Sequence, residues 1–385
     1  MTSFDPISTH PVSGRRFSVR YRLAGSETEA RARAEDICVE QSVEFPEALV
    51  PDGMIRDHLL GRVERLEAAP GGWHEAEISF AVEIAGRELT QLLNVMFGNI
   101  SLKSGIRVEG VELPEELLDG FAGPRFGRGG LRELLGVAER PLLCTALKPL
   151  GYSAAGLAEL AYRCALGGID IIKDDHGLAD QGFAPFCERA SRCAEAVARA
   201  NRETGRRAIY APNVTAPSGE VQARAAYAKA HGAGGLLVAP GLVGLDAMRR
   251  LADDDAIGLP IFSHPAFQGS YVLCPDQGLS HRMLFGLLPR LAGADATIYP
   301  NAGGRFGFSR EECAEIVEGT EQPMGRLKTI FPCPGGGMRL ARVPELLKDY
   351  GREVVLLIGG DLVAEGPDLI ENCRRFHRLI QDFDV

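Results

Sequence analysis

The chain has 385 residues, of which 45% are hydrophobic and 24% are charged, a composition typical of a globular protein with room for two domains. Its formal net charge of −10 argues against a general nucleic-acid or anionic-membrane surface, although a local basic pocket for a phosphorylated metabolite is still allowed. The sequence opens without an apolar signal core, has no stretch of about 18 uninterrupted apolar residues, and its nine cysteines lack CxxC spacing. We therefore expect a cytoplasmic protein with reduced, mostly buried thiols, and neither a zinc site nor a disulfide framework.

The first part of the chain has the mixed pattern of an α+β domain. Residues 15–23 and 73–84 alternate between apolar and polar side chains, as half-exposed strands do. Residues 26–41 and 88–99 have the spacing of amphipathic helices. These four segments predict a small sheet with helices packed against it.

From about residue 141 the sequence alternates regularly between short apolar runs and amphipathic helical stretches, so the strands must be parallel. The strand candidates are residues 141–149, 169–175, 207–215, 235–242, 260–267, 296–301, 328–336 and 354–361. The clearest helix candidates between them are residues 153–166, 184–204 and 219–231. Eight such units are the number that closes a (β/α)8 barrel, whose catalytic groups collect at the carboxyl ends of the strands.

The two patterns meet in a stretch rich in glycine, residues 121–136, which we interpret as a linker. The sequence therefore predicts two domains of α/β class. Residues 1–135 form an N-terminal α+β domain of ferredoxin-like type, and residues 136–385 form a (β/α)8 TIM barrel that is the catalytic domain.

The second barrel strand candidate ends in an unusual run of charge, GGIDIIKDDH, at residues 167–176. Period-two alternation places Lys173 and Asp175 on one face of the strand and Asp174 on the other. His176 then begins the loop at the barrel mouth. This position indicates a hard-metal or acid–base site, and the alternative is an internal Lys173–Asp175 ion pair that merely neutralises itself.

The same run closely resembles the GGxDxxKDDE signature of the ribulose-bisphosphate carboxylase (RuBisCO) large-chain superfamily. Further segments resemble that family in the same order, and together they span roughly residues 16–379. They are VMFGNIS (95–101), GFAGPRFG (120–127), CTALKPLGYS (144–153), APNVTA (211–216), SHPAFQG (263–269), PCPGGGM (332–338) and LIGGD (357–361). One such fragment is weak evidence, but seven in order agree with the barrel derived from the strand pattern.

The resemblance implies a role for each matched residue. The metal site consists of Lys173 carbamylated by CO2, Asp175 and the residue at position 176, His176. The catalytic residues are Lys148, Lys173, His264 and Asn99. The residues that contact the substrate or its phosphate are Asn213, Gly336, Gly337, Gly359, Gly360 and Glu40. The resemblance also implies a homodimer with shared active sites, in which Asn99 and Glu40 of one subunit complete the site of the other.

Three of these roles have plain structural alternatives. Lys148 could be an ordinary surface lysine whose stem lies along apolar atoms. His264, which follows Ser263, could be a hydrogen-bonded core histidine. The glycine pairs could occupy turns that require positive φ, although two such loops on consecutive strands favour a phosphate site.

Departures from the family pattern narrow the function. The metal-ligating glutamate is His176, the second lysine of the KPK segment is Leu150, and the phosphate-gripping arginine after the fifth strand is Pro265. The loop after the sixth strand, residues 299–309, lacks the lysine that stabilises the carboxylated intermediate, and Arg305 is its nearest cation. These losses argue against CO2 fixation on a bisphosphate. The sequence is identified as a RuBisCO-like protein of the non-carboxylating branch (form IV).

The change to His176 bears on the choice of metal. A histidine ligand replaces one oxygen by nitrogen and removes one negative charge from the site. Mg2+ is the expected ion, but the binding affinities of Mn2+, Co2+ and Zn2+ should rise relative to that of Mg2+. The alternative is that His176 does not bind metal and acts as a base or contacts the substrate.

The retained residues support a metal-assisted enolisation or isomerisation of a ketose monophosphate. The candidates are 5-methylthioribulose 1-phosphate isomerase and methionine-salvage enolase. A second hypothesis is a transcarboxylase or hydrolase that cleaves a phosphorylated branched 3-oxo acid, 3-oxo-isoapionate 4-phosphate. A third is a non-catalytic metabolite-binding protein, against which the joint retention of Lys148, Lys173, Asp175 and Asn99 argues.

Overall fold

The computed structural model describes residue 8 and residues 10–381, which form two compact units. The first comprises the described residues through Phe121 together with Gly269–Leu284 and Met324–Arg326, and the second comprises Ala122–Gln268, Phe285–Pro323 and the described residues from Leu327 onward. No helix in the described part of the chain is long and apolar enough to cross a membrane. The nine cysteines are free; Cys187 and Cys274 are exposed and the other seven are buried.

The first unit is a five-stranded sheet with helices. Its strands, in spatial order, are Gly278–Leu279, Ile106–Glu112, Arg16–Ala24, Trp73–Ala81 and Arg62–Ala69. Its α-helices are Glu27–Glu40, Val82–Ala85, Leu89–Phe97 and Glu115–Leu118. All strand pairs are antiparallel except the short first one, and the four long strands with two main helices give the β-α-β-β-α-β order of a ferredoxin-like fold. The predicted α+β pattern is confirmed.

Local sequence explains these elements. In Arg16–Ala24 every second residue is buried, because one face of the strand covers the core and the other faces solvent. The helix Glu27–Glu40 begins at Ser26, whose hydroxyl accepts from the Glu29 N–H while the Glu29 carboxylate accepts from the Ser26 N–H. This capping box satisfies amide donors that the first helical turn leaves free.

The second unit contains eight parallel strands. They are Leu142–Leu147, Ile171–Asp174, Ile209–Ala211, Leu236–Val238, Ile261–Ser263, Ala296–Pro300, Phe331–Gly335 and Val355–Leu357, referred to below as barrel strands one to eight. Strands eight, one, two and three pair in that order, as do seven, six, five and four. A parallel bridge between Asn213 and Leu237 joins strand three to strand four. All eight predicted strands are confirmed.

The helices of this unit follow the strands, as the alternating pattern predicts. They are Gly127–Leu135, Ala154–Leu166, Phe186–Thr204, Val221–Ala230, Pro240–Val243, Leu245–Asp253, Leu288–Leu291, Arg310–Glu321, Val343–Tyr350, Gly360–Ala364 and Leu369–Gln381. Side chains such as Leu143 and Ile172 point out to pack with these helices, whereas Cys144 and Ile171 point into a separate central cluster. The period-two alternation of the strands thus separates the outer layer from the barrel interior.

The stretch predicted to be a linker is partly helical. Residues Gly127–Leu135 form a helix in the second unit, and Leu131 and Leu135 are buried in the central cluster. Two leucines one turn apart bury enough apolar surface to order a segment whose glycines suggest a loop. The division between the two units consequently falls after Phe121, whereas the sequence placed it after residue 135.

Candidate active site

The predicted catalytic and metal-binding residues of the second unit lie at the carboxyl ends of its strands, which open at one mouth of the barrel. They are Lys148 after strand one, Lys173 in strand two with Asp175 and His176 after it, Asn213 after strand three, and His264 after strand five. The glycine pairs follow strands seven and eight. The fold therefore brings residues that are far apart in sequence to one face of the barrel.

Asp175 pairs with Lys148 and not with Lys173. The Lys148 ammonium contacts Asp175 Oδ2, and the two side chains are 39% and 12% exposed, respectively. Burial works to raise the pKa of Asp175, but Lys148, the Gly177 N–H and His176 together outweigh burial, so the pKa lies below the usual value. Among the described residues no ion pair joins Lys173 to Asp175, so the self-neutralising pair considered above is absent. Lys148 is held at the mouth by a charged partner.

Lys173 is a buried amine. It is 2% exposed, and its Nζ donates to the backbone carbonyl of Asp174 at 3.1 Å. Burial lowers the pKa of Lys173. The neighbouring thiols of Cys144 and Cys333 and the carboxylate of Asp175 raise it, but by less than burial lowers it. A lowered pKa increases the share of neutral amine, which is the form that can attack an electrophile such as CO2.

Two imidazoles stack beside Asp175. The rings of His176 and His264 have centroids 4.7 Å apart and planes 15° apart, and His176 Nδ1 lies 3.5 Å from Asp175 Oδ1. Burial, followed by the charges of Lys173 and His176, lowers the pKa of His264 well below its usual value, so its ring is neutral. Its Nδ1 accepts from the Ala266 N–H at 3.2 Å, which places the ring proton on Nε2. His264 is therefore a neutral hydrogen-bond donor.

Asp174 anchors the outer side of the same strand end. Its carboxylate, fully buried, accepts from Arg189 Nε at 3.1 Å, Tyr210 Oη at 2.7 Å and the Asn213 N–H at 3.0 Å. Arg189 and Tyr210 were not predicted from the sequence. Arg189 had a detectable signal, because it lies one turn after Phe186 on the apolar stripe of its helix, where a charge needs a buried partner.

Asn213 holds the loop that carries His176. Its Nδ2 donates to the carbonyls of His176, at 3.0 Å, and Leu178, at 2.9 Å. Its Oδ1 accepts from the Thr215 N–H at 3.1 Å. The amide is thus engaged on both sides, which favours a positioning role over direct contact with a substrate.

The glycine pair after strand seven exposes free backbone amides. Gly336 and Gly337 have φ values of 81° and 104°, which favour glycine. Their N–H groups donate to no acceptor in the part of the chain that the structure describes. Successive free N–H groups form the concave sites that bind anions in other proteins.

A hydrogen bond joins the segments that follow the two glycine pairs. The Leu340 N–H donates to Asp361 Oδ2 at 2.9 Å, which joins the segment after strand seven to the loop after strand eight. Neither Gly359 nor Gly360 has a positive φ, and a β-carbon at Gly360 would meet no atom within 4 Å. Neither the backbone conformation nor the packing requires glycine at Gly360, and the space beside it is open.

Asn99 and Glu40 lie together within the first unit. Asn99 Nδ2 donates to Glu40 Oε1 at 2.9 Å and to Glu44 Oε1 at 3.3 Å. The sequence predicted the first two residues and missed Glu44, which has a positive φ of 46°. The two predicted residues thus form one hydrogen-bonded group.

The residues present fit a divalent metal ion once Lys173 carries a carbamate. Within the described residues no group of three His, Cys, Asp or Glu side chains is placed to hold a metal. Asp175 and His176, whose nearest ring and carboxylate atoms are 3.5 Å apart, supply only two donors. A carbamate on the adjacent buried Lys173 would supply the third, and an oxygen-rich set of this kind suits Mg2+ or Mn2+.

Comparison with known proteins agrees with this barrel fold. Residues 129–365 match the family model of the ribulose bisphosphate carboxylase large chain, catalytic domain. The 5-methylthioribulose-1-phosphate isomerase of Rhodospirillum rubrum is 39% identical over 362 residues, covering 94% of this chain and 95% of that protein. The 2,3-diketo-5-methylthiopentyl-1-phosphate enolase of Bacillus licheniformis is 34% identical over 370 residues, covering 94% and 90%, respectively.

A solved structure extends the likeness to the whole fold. The crystal structure of a RuBisCO-like protein from Rhodopseudomonas palustris matches with a TM-score of 0.87 at 39% identity, covering 96% of this chain and 99% of that one. The chain therefore belongs to the RuBisCO large-chain family. Within that family it is a RuBisCO-like protein of the non-carboxylating branch, as its motifs predict, and it is an enzyme, since its named relatives are enzymes.

The replacement of glutamate by His176 can be tested through metal affinity. We expect His176→Glu to raise Mg2+ affinity roughly tenfold, because it restores a negative oxygen ligand. His231→Glu, which adds the same charge after a helix that ends at the opposite end of the barrel, should leave Mg2+ affinity unchanged. Titration calorimetry in bicarbonate buffer measures both. If His176→Glu binds Mg2+ no better while His176→Gln loses turnover with metal binding intact, the histidine acts on the substrate instead.

Proposed function

We propose that the protein isomerises 5-methylthioribulose 1-phosphate by moving a proton between neighbouring carbon atoms. The observation that carries the proposal is the Lys148–Asp175 ion pair beside the buried amine of Lys173, in a chain similar over nearly its full length to the named isomerase. The group combines a cation at the barrel mouth with residues that can hold a metal. Isomerisation uses a cation and a metal site of this kind and does not consume CO2 as a substrate.

The metal site in this proposal consists of carbamylated Lys173, Asp175 and His176. A divalent ion bound there would polarise the carbonyl of the ketose and make the neighbouring C–H more acidic. The protein's own part is to hold the ligands in place. Asn213 fixes the His176 carbonyl, and Asp174 fixes the end of strand two from the outer side.

Lys148 and His264 supply the hydrogen-bond donors of the reaction. When a ketose loses a proton next to its carbonyl, negative charge develops on the carbonyl oxygen. Lys148 is placed at the mouth to give that oxygen a proton or to stabilise its charge. His264, neutral and protonated on Nε2, can donate a second hydrogen bond without a change of charge.

The two ends of the substrate have different surroundings in this assignment. Its phosphate binds at the glycine loops after strands seven and eight, which the free N–H groups of Gly336 and Gly337 support. Its methylthio end is apolar, and one exposed apolar side chain lies next to the imidazole pair. Leu150 lies against Gly177, which follows His176. Leu150 stands where the family has a second lysine, and an apolar side chain there suits an uncharged substrate end.

Two other reactions are kept as alternatives. The enolase reaction is favoured by the likeness to the Bacillus licheniformis enolase and would use the same proton chemistry on a diketone. Cleavage of 3-oxo-isoapionate 4-phosphate would also need a metal and a phosphate site, but no named relative reported above carries out such a reaction. Isomerisation is preferred because the named isomerase has the higher sequence identity.

Proton NMR in D2O tests the proposed reaction directly. With 5-methylthioribulose 1-phosphate, Mg2+ and bicarbonate, we expect solvent deuterium to enter a C–H bond of the sugar as the isomer forms. Lys148→Met should slow this exchange by about 100-fold or more, the usual contribution of a general acid. Lys229→Met, which removes the same charge from an exposed helix position, should leave the rate unchanged.

Two results would contradict the isomerase assignment, and a third would contradict the role given to Lys148. Turnover of the diketone alone would favour the enolase, and release of a two-carbon acid from 3-oxo-isoapionate 4-phosphate would favour cleavage. Full exchange activity in Lys148→Met would remove Lys148 from the reaction, whichever substrate is used.

We further propose a homodimer in which Asn99 and Glu40 of each subunit complete the active site of the other, as the family resemblance implies. Mixing inactive Lys173→Ala with inactive Asn99→Ala subunits should restore roughly a quarter of the activity, because half of the dimers are mixed and each has one intact site. Activity is measured after native mass spectrometry has shown that subunits exchange. Exchange without any recovery would contradict shared sites.

A further inference from the structure

The loop after barrel strand six is fixed to the end of strand seven by backbone hydrogen bonds. The Asn301 N–H donates to the Gly335 carbonyl at 2.9 Å, and the Arg305 N–H donates to the Gly336 carbonyl at 2.8 Å. Within the loop, the Gly304 N–H donates to the Asn301 carbonyl at 3.1 Å. Backbone hydrogen bonds therefore hold this loop against the glycine pair.

Side chains from the segment after strand seven hold the same loop. Arg342 Nη1 donates to the Ala302 carbonyl at 3.1 Å, and its Nε lies 3.1 Å from Glu345 Oε2. The Tyr350 hydroxyl donates to Asn301 Oδ1 at 2.5 Å. These contacts place the start of the loop, so the position of Arg305 follows from the rest of the barrel.

Arg305 lies beside Gly337, the second glycine of the pair, and its guanidinium has no ion-pair partner among the described residues. A β-carbon at Gly337 would lie 2.8 Å from Arg305 Cγ, so the arginine stem occupies the space beside that glycine. Arg305 Cζ lies 5.3 Å from the centre of the Phe306 ring, and no carboxylate in the described part of the chain pairs with the guanidinium. By contrast, Arg310 and Arg342 nearby both pair with Glu345.

We propose that Arg305 is the cationic side chain of the phosphate site and binds the substrate's phosphate together with the N–H groups of Gly336 and Gly337. This inference rests on the phosphate site of the proposed function and adds its charged member. The amides alone provide neutral donors, whereas a guanidinium can bind two phosphate oxygens at once and balance their charge. An exposed arginine without a carboxylate partner gives up no ion pair when the anion binds.

Titration with inorganic phosphate, followed by 31P NMR, tests this role without requiring turnover. We expect Arg305→Gln to weaken phosphate binding about tenfold or more, the range of a charge-assisted hydrogen-bonded pair. Arg305→Lys should bind phosphate with intermediate affinity, because lysine keeps the positive charge but cannot donate two parallel N–H groups to two phosphate oxygens. Arg310→Gln is the matched control, because it removes an arginine of the same βα unit that already pairs with Glu345 and Asp349, and it should bind as the wild type does.

The outcomes separate the inference from the function on which it rests. If the wild type binds phosphate and Arg305→Gln binds it equally well, Arg305 has no role in the site and the phosphate assignment stands. If Arg310→Gln weakens binding as much as Arg305→Gln, the effect is general electrostatics and the inference is wrong. If the wild type binds no phosphate, the glycine site and the inference both fail. Thermal unfolding of each variant checks that the exposed substitution leaves the fold intact.

Discussion

The burial of the Lys173 amine at the barrel mouth is the constraint on which the rest of the site depends. A charged ammonium with 2% exposure is unfavourable, and burial accordingly lowers the pKa of this lysine. Asp175 forms its ion pair with Lys148 and not with Lys173. The amine therefore stays available for a reaction that turns it into an anion, and a carbamate formed there would join Asp175 and His176 as a metal ligand.

The two faces of the strand that carries Lys173 have different surroundings. On the inner face, Lys173 and Asp175 reach the barrel mouth. On the outer face, Arg189 and Tyr210 donate hydrogen bonds to Asp174. A shift of one residue in the pairing of this strand would exchange the two faces and place the site carboxylate among the helices. The buried Asp174 network thus specifies the register, and the register places Lys173 and Asp175, the proposed site residues, at the mouth.

Much of this arrangement was predictable from the sequence, because strand alternation and barrel topology are local or near-local properties. The eight strands and the separation of Lys173 and Asp175 from Asp174 follow from them. The Lys148–Asp175 pair was not predictable, since Lys148 and Lys173 were both suitable partners and only the fold decides which one reaches the carboxylate. Asn213 is a similar case, because its hydrogen bonds go to backbone atoms that sequence patterns do not locate. The helix Gly127–Leu135 was missed because its glycines outweighed the spacing of Leu131 and Leu135.

The proposed metal site depends on the conversion of Lys173 to a carbamate, and 13C NMR can observe that group directly. The protein is equilibrated with 13C-labelled bicarbonate and Mg2+, and the spectrum of the wild type is compared with those of Lys173→Ala and Lys229→Ala. We predict a carbamate resonance in the wild type and in Lys229→Ala, and its absence in Lys173→Ala. A wild-type spectrum without that resonance, or an equal resonance in Lys173→Ala, would contradict a site built on a carbamylated Lys173.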